Sequence, residues 1–158
     1  MLDNCKTACE RWGGVSEIID RWLQERQSLL VLFLKLTAPK EELSSQDHQE
    51  TLRNFCQILV DYVSAGHFEI YQQLIDESQA LNDHEALEKA KKPYQLIDST
   101  TESVLDFNDK YQETDDLEAL SSDLSALGQT LEVRFESEDL MIEVLHNSHK
   151  DQLTEQHS

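Results

Sequence analysis

Few residues in this chain can do chemistry, and their spacing limits which chemistry is open to them. Glu143 and His146 stand three apart, which puts a carboxylate and an imidazole on one helix face and matches half of the ligand set of a di-metal carboxylate bundle. The second Glu-x-x-His is absent. His84-Glu85 opens like a zinc-protease motif, but position 88 is Glu where the second His would stand. Cys5, Cys9 and Cys56 form neither a CxxC nor an even set, which predicts reduced thiols in a cytoplasmic protein. Without a GxSxG, a Walker loop or a dinucleotide fingerprint, nucleophilic hydrolysis, nucleotide hydrolysis and Rossmann chemistry have no visible machinery. The expectation is a protein without a cofactor that is not an enzyme.

Charge in an otherwise apolar stripe is the sharper signal. Leu117, Leu120, Leu124, Leu127 and Leu131 recur at three and four, and the same steps then reach Arg134, Glu138, Met141 and Leu145. Arg26 falls between Trp22 and Leu29 on the apolar face of an earlier segment, and Asp61 lies just before Gly66. Charges facing a bundle interior cost several kcal/mol unless paired. Arg26, Asp61, Arg134 and Glu138 are therefore expected to form an internal network or to line a cleft, with long side chains reaching out at a bundle end as the plainer reading. An open cleft would favour the alternative function, a metal-binding or ligand-sensing bundle. His67, between Gly66 and Phe68, could cap a helix end or touch a ligand.

Long helices must position these groups. Only 4 Gly and 2 Pro interrupt the chain. From Val15 after the Gly13-Gly14 pair, apolar residues keep a helical period to Leu36, before Pro39. Lys40 to Gln46 reads as a loop, with Ser44 and Asp47 as a helix-start signal. Leu52 to Val63 marks a second helix, Ser64-Ala65-Gly66 a stop or kink, and Phe68 to Ile75 a shorter third helix before a polar connection at Ser78 to His84. Glu85 to Tyr111 forms one element bent at Pro93, and Asp115 or Asp116 is expected to cap the last helix. The prediction is all-α: an antiparallel four-helix-type bundle with a broken second/third helix, one domain over residues 1–145 and a polar, fraying tail over 146–158.

Acidic residues number 32 against 13 basic, a formal charge of -19. That charge repels phosphate backbones and anionic lipid, so direct nucleic-acid and membrane binding are not expected; a basic protein surface is the complement. The most apolar stretch, Leu29 to Leu36, is too short to cross a bilayer.

Three blocks carry a resemblance: Asp20-Arg21-Trp22-Leu23 with Arg26 and Leu29-Leu30-Val31; Phe55-Cys56-Gln57 through Leu59-Val60-Asp61-Tyr62 and Ser64-Ala65-Gly66-His67-Phe68-x-Ile70-Tyr71; and Leu131-Glu132-x-Arg134-Phe135-x-x-Glu138-Asp139. Together they resemble the Rsd/AlgQ family, the regulators of sigma D, over nearly the whole chain. The resemblance implies a helical-bundle anti-sigma factor that binds the primary sigma factor and lowers its supply to RNA polymerase, favouring alternative sigma factors when growth slows. It implies the sigma C-terminal domain, a basic helix-turn-helix module, as target. A sugar-transport phosphocarrier protein and stringent-response signalling are further links of the family. By motif position it implies a contact region of Arg21, Trp22, Asp61, Ser64, His67, Phe68 and Tyr71, supported by Arg26, Arg134 and Glu138.

Overall fold

The computed structural model describes residues 2–38, 45–114 and 116–150. Among them the chain forms α1 (Leu2–Thr37), α2 (Ser45–Ala65), a π-turn (Gly66–Ile70), α3 (Tyr71–Ala80), α4 (His84–Glu113), α5 (Leu120–Leu145) and a short 3-10 turn (Asn147–His149). Because α2, the π-turn and α3 follow one another without a gap, the described residues form four long rods.

Side-chain contacts fix their directions. Trp22 stacks on Tyr62 and Phe33 meets Phe55, so α1 and α2 run antiparallel. Phe55 meets Phe107, and Tyr71 meets Tyr94, which turns α4 back against α2 and α3. Arg134 reaches Ile97 and Thr100 while Asp123 reaches Lys110, so α5 runs antiparallel to α4. The result is the expected up-down-up-down bundle. Its core combines the leucine seam of α5 with Leu29, Leu52, Phe55, Leu59, Leu74, Ile97 and Val104, all buried.

The first helix starts far earlier than the periodicity after the glycine pair predicts, and Gly13 and Gly14 lie inside it. Trp12 explains why the extra turns persist: its ring stacks on His146 at 4.4 Å, and its indole N–H donates to the His146 carbonyl at 3.0 Å. Tertiary contact thus overrides two weak helix formers.

The expected stop or kink at Ser64-Ala65-Gly66 is a widening of a continuous helix, with the Tyr71 N–H donating to the Gly66 carbonyl five residues back. Between α3 and α4 the chain does end a helix. Asn82 takes a left-handed φ of 55°, Asp83 N–H bonds the Ser78 carbonyl at 2.9 Å and Asn82 N–H bonds the Gln79 carbonyl at 3.1 Å. Asp83 then caps α4 by accepting from Ala86 N–H at 3.0 Å. Pro93 is accommodated inside α4.

Asp116 does not cap α5, as the sequence suggests, but accepts from Glu118 N–H in the turn before it. Asp115 and Ser44, the other expected start signals, lie outside the described residues, as do 151–158 of the expected tail. Before that point, His146 and His149 are buried. Among the described residues no helix is long and apolar enough to cross a membrane.

Candidate functional site

The π-turn organises the site. Tyr62 and Tyr71 are nine residues apart, and at about 100° per residue an unbroken α-helix would set them on opposite faces. The π-turn absorbs roughly one extra residue and swings Tyr71 back by about a quarter turn, so both rings enter the core. The turn fits only because position 66 has no side chain: a Cβ there would lie 2.9 Å from Trp22 Cζ2 and 3.0 Å from the Tyr71 hydroxyl.

Both tyrosines converge on Glu138 of α5, whose side chain is fully enclosed. The Tyr62 hydroxyl donates to Glu138 Oε1 at 2.5 Å and accepts from Arg26 Nε at 2.9 Å. In the matching arm, the Tyr71 hydroxyl donates to Glu138 Oε2 and accepts from Arg134 Nη2 at 3.3 Å. Arg26 also reaches Glu138 Oε1 at 3.3 Å and Asp139 Oδ1 at 2.7 Å. Arg134 lies 3.4 Å from Glu138 Oε2 one turn away, and its Nη1 donates to the hydroxyls of Thr100 and Thr101, each at 3.1 Å. Two arginines are thus balanced by two carboxylates, which is what makes buried charge tolerable.

Burial is the largest influence on each hydroxyl and pushes both tyrosines well above their ordinary range, and the Glu138 charge adds to it. Burial likewise pushes the Glu138 carboxyl upward, against the pull of Arg134, Tyr62, Tyr71 and Arg26. Both phenols therefore keep their protons at neutral pH, and the hydrogen-bonded cluster acts as a fixed brace.

An aromatic layer covers it. Trp22 lies flat on Tyr62 at 4.6 Å, meets Tyr71 edge-on, and donates its indole N–H to the Tyr62 carbonyl at 3.0 Å. The Arg26 guanidinium sits 4.7 Å above the Phe135 ring.

Three of the four charges expected inside, Arg26, Arg134 and Glu138, do come together, in a closed network and not around an open cleft. Asp61 does not join them. It is exposed on α2 and accepts from the Gln57 amide at 3.2 Å, while its neighbour Tyr62 takes the inward place. Of the expected contact region, Arg21, Asp61, Ser64 and His67 are exposed, and Phe68 is 79% exposed. Trp22 and Tyr71, expected in the same contact region, are buried. Sequence reasoning left out Tyr62, Asp139, Thr100 and Thr101; for Tyr62 the signal was there, since Leu52, Phe55, Leu59 and Tyr62 keep the three-and-four spacing of the buried face of α2.

A second cluster pins the far end of the bundle. His146 meets Glu77 through Nδ1 at 2.8 Å and Ser16 through Nε2 at 2.7 Å, and His149 donates from Nε2 to Asp83 at 2.7 Å. The half-motif Glu143-x-x-His146 comes apart here, because Glu143 is exposed and accepts from Asn147 while His146 turns inward.

Comparison with known proteins agrees with these blocks. The family described as "Regulator of RNA polymerase sigma(70) subunit, Rsd/AlgQ" matches residues 1–146. A protein named "Regulator of sigma D" from Enterobacter sp. (strain 638) is 37% identical over 148 residues, 90% of this chain and 88% of its own length. Proteins of the same name from Salmonella paratyphi B and Pectobacterium carotovorum are each 35% identical, over 96% and 94% of this chain and 95% and 100% of theirs.

Proposed function

The chain belongs to the Rsd/AlgQ family, regulators of the RNA polymerase sigma(70) subunit, and on that premise we propose that it is an anti-sigma factor acting through the C-terminal domain of the primary sigma factor. The mechanism is occlusion without a chemical step. A strongly acidic bundle is drawn to the basic DNA-reading face of that domain and, once seated, denies it to promoter phosphates and to the polymerase.

One observation carries this reading: Phe68 stands 79% exposed on a π-turn that is locked from inside. An exposed aromatic costs water contacts, and Trp22, Tyr71 and the Glu138 brace hold the backbone beneath it fixed, so a partner meets it without an ordering cost. His67 packs edge-on against it at 5.0 Å, and exposed Ser64 stands one turn back on the same helix, with Asp61 and Arg21 also exposed, which in this assignment supply the polar rim of the anchor. In this assignment Arg26, Arg134, Glu138, Trp22 and Tyr71 support the contact surface from below.

Calorimetric titration with the isolated sigma C-terminal domain tests it. Phe68→Ala together with Asp61→Ala should weaken binding by about 2 kcal/mol or more, roughly thirtyfold, while the melting curve stays near wild type. Unchanged affinity in a folded double variant would refute the site.

A further inference from the structure

Between α1 and α2 an open groove of about 530 Å³ is lined by Ser28, Val31, Leu32, Asn54, Gln57 and Ile58, with Gln27 at its margin. In a chain with 28% charged residues, none of these is charged. Val31 is 50% exposed and Leu34, one turn on, is 66% exposed, so the apolar strip is open to water and not sealed by the fold. Two exposed aliphatic residues three apart on one helix are the pattern a partner helix covers.

The groove leads toward the Phe68 surface. Gln57, on its wall, donates to Asp61 one turn further along α2. There Glu25 of α1 faces Asp61 closely enough that burial and the Asp61 charge both push the Glu25 carboxyl upward. Among the described residues neither Glu25 nor Asp61 forms an ion pair. Two neighbouring carboxylates that form no ion pair are a cost that an incoming Lys or Arg relieves.

Resting on the anti-sigma reading, we propose that this groove takes a basic amphipathic helix of the sigma factor, extending the Phe68 contact along α1 and α2. Two apolar side chains of that helix, three or four residues apart, fill the space over Ser28, Val31 and Ile58, and a Lys or Arg one to two turns along, roughly 5–10 Å away, reaches Glu25 and Asp61. A second copy of this chain is the poorer occupant, because it would bring a charge of -19 against an acidic groove end.

The test is titration of the sigma C-terminal domain with full-length wild type, Val31→Glu, Ser28→Trp and Phe68→Ala, alongside melting curves and light scattering. Positions 28 and 31 are exposed, so both groove variants should melt like wild type. The expected result is at least a tenfold loss of affinity in each of them. If wild type binds and Phe68→Ala weakens it but both groove variants bind normally, the groove assignment is overturned and the anti-sigma reading stands. If wild type does not bind the domain at all, the anti-sigma reading falls and takes the groove with it. A wild-type dimer that Val31→Glu dissolves would make the occupant a second copy and overturn the assignment.

Discussion

Replacing Gly66 with Ala adds a single methyl group and tests the central device of the fold. Its Cβ would stand 2.9 Å from Trp22 Cζ2 and 3.0 Å from the Tyr71 hydroxyl, about half an ångström or more inside comfortable contact. Neither neighbour is free to yield. Trp22 is held by its stack on Tyr62 and its bond to the Tyr62 carbonyl, and Tyr71 by Glu138 and Arg134. Overpacking of this kind costs about 1–3 kcal/mol, offset by about 1 kcal/mol from replacing Gly by Ala in a helix. Gly14 is the control, since it also lies in a helix but a Cβ there meets nothing within 4 Å, so Gly14→Ala keeps the gain without the clash. The two variants should therefore differ by about 1–3 kcal/mol, with Gly14→Ala the more stable. In urea, with a slope of about 2 kcal/mol/M, their midpoints should separate by roughly 0.5–1.5 M. The near-ultraviolet dichroism of Gly66→Ala should also change as Trp22 shifts. Equal, upward midpoint shifts with an unchanged aromatic spectrum would refute the claim that close contact, not backbone freedom, requires glycine here.

Two further perturbations follow. Glu138→Gln removes the shared acceptor charge, leaves Arg134 buried without its carboxylate, and should cost about 3–5 kcal/mol in urea unfolding; a loss below about 1 kcal/mol would mean the brace is not held by charge. Asp83 is held below its usual 3.8 first by the hydrogen bond from His149 and then by the Ala86 N–H. A depressed folded value contributes stability that is complete above the unfolded value and lost as pH falls through the folded one. Because Asn also caps helices, Asp83→Asn removes the charge and keeps the cap. Wild type should thus be the more stable at neutral pH, with an advantage that fades as the medium is acidified below 3.8. A difference that is independent of pH would show that the His149 contact does not depend on the carboxylate charge.

The helical class, the four rods and the charged end of the α5 seam were legible because three-and-four spacing survives any detail of packing. Arg134 and Glu138 lie one turn apart on that seam, so counting alone sends both inward. Asp61 and Tyr62 show where a charge draws attention away from the count. Adjacent residues differ by about 100°, and Leu52, Phe55, Leu59 and Tyr62 keep the three-and-four spacing that turns Tyr62 inward and Asp61 out; what a periodic pattern does not record is the extra residue of the π-turn, which brings Tyr71 to the same side. Gly66 reads as a stop because glycine usually ends helices; its role as a gap for two rings exists only once α1 is in place. Gly13 and Gly14 mislead in the same way, since the Trp12 contact with His146 spans the whole sequence. His146 and His149 read as solvated tail residues because a histidine is buried only when its partners, here Glu77, Ser16 and Asp83, are supplied by distant parts of the chain.

The internal brace also shapes the outer surface. Arg26 and Arg134 against Glu138 and Asp139 sum to zero, so the whole formal charge of -19 belongs to the rest of the chain. Two of the 13 basic residues are spent inside, and the exterior is more one-sidedly acidic than its basic-residue count suggests. Diffuse charge of this kind speeds encounter with a basic partner and is screened by salt, whereas a rigid aromatic anchor holds the partner once it has arrived. Salt should therefore act chiefly on the association rate, and loss of Phe68 chiefly on the dissociation rate. The π-turn links the two parts: the extra residue that brings Tyr71 to Glu138 also leaves His67, Phe68 and Glu69 exposed on the outside of the turn, so the feature that closes the core presents the proposed contact surface.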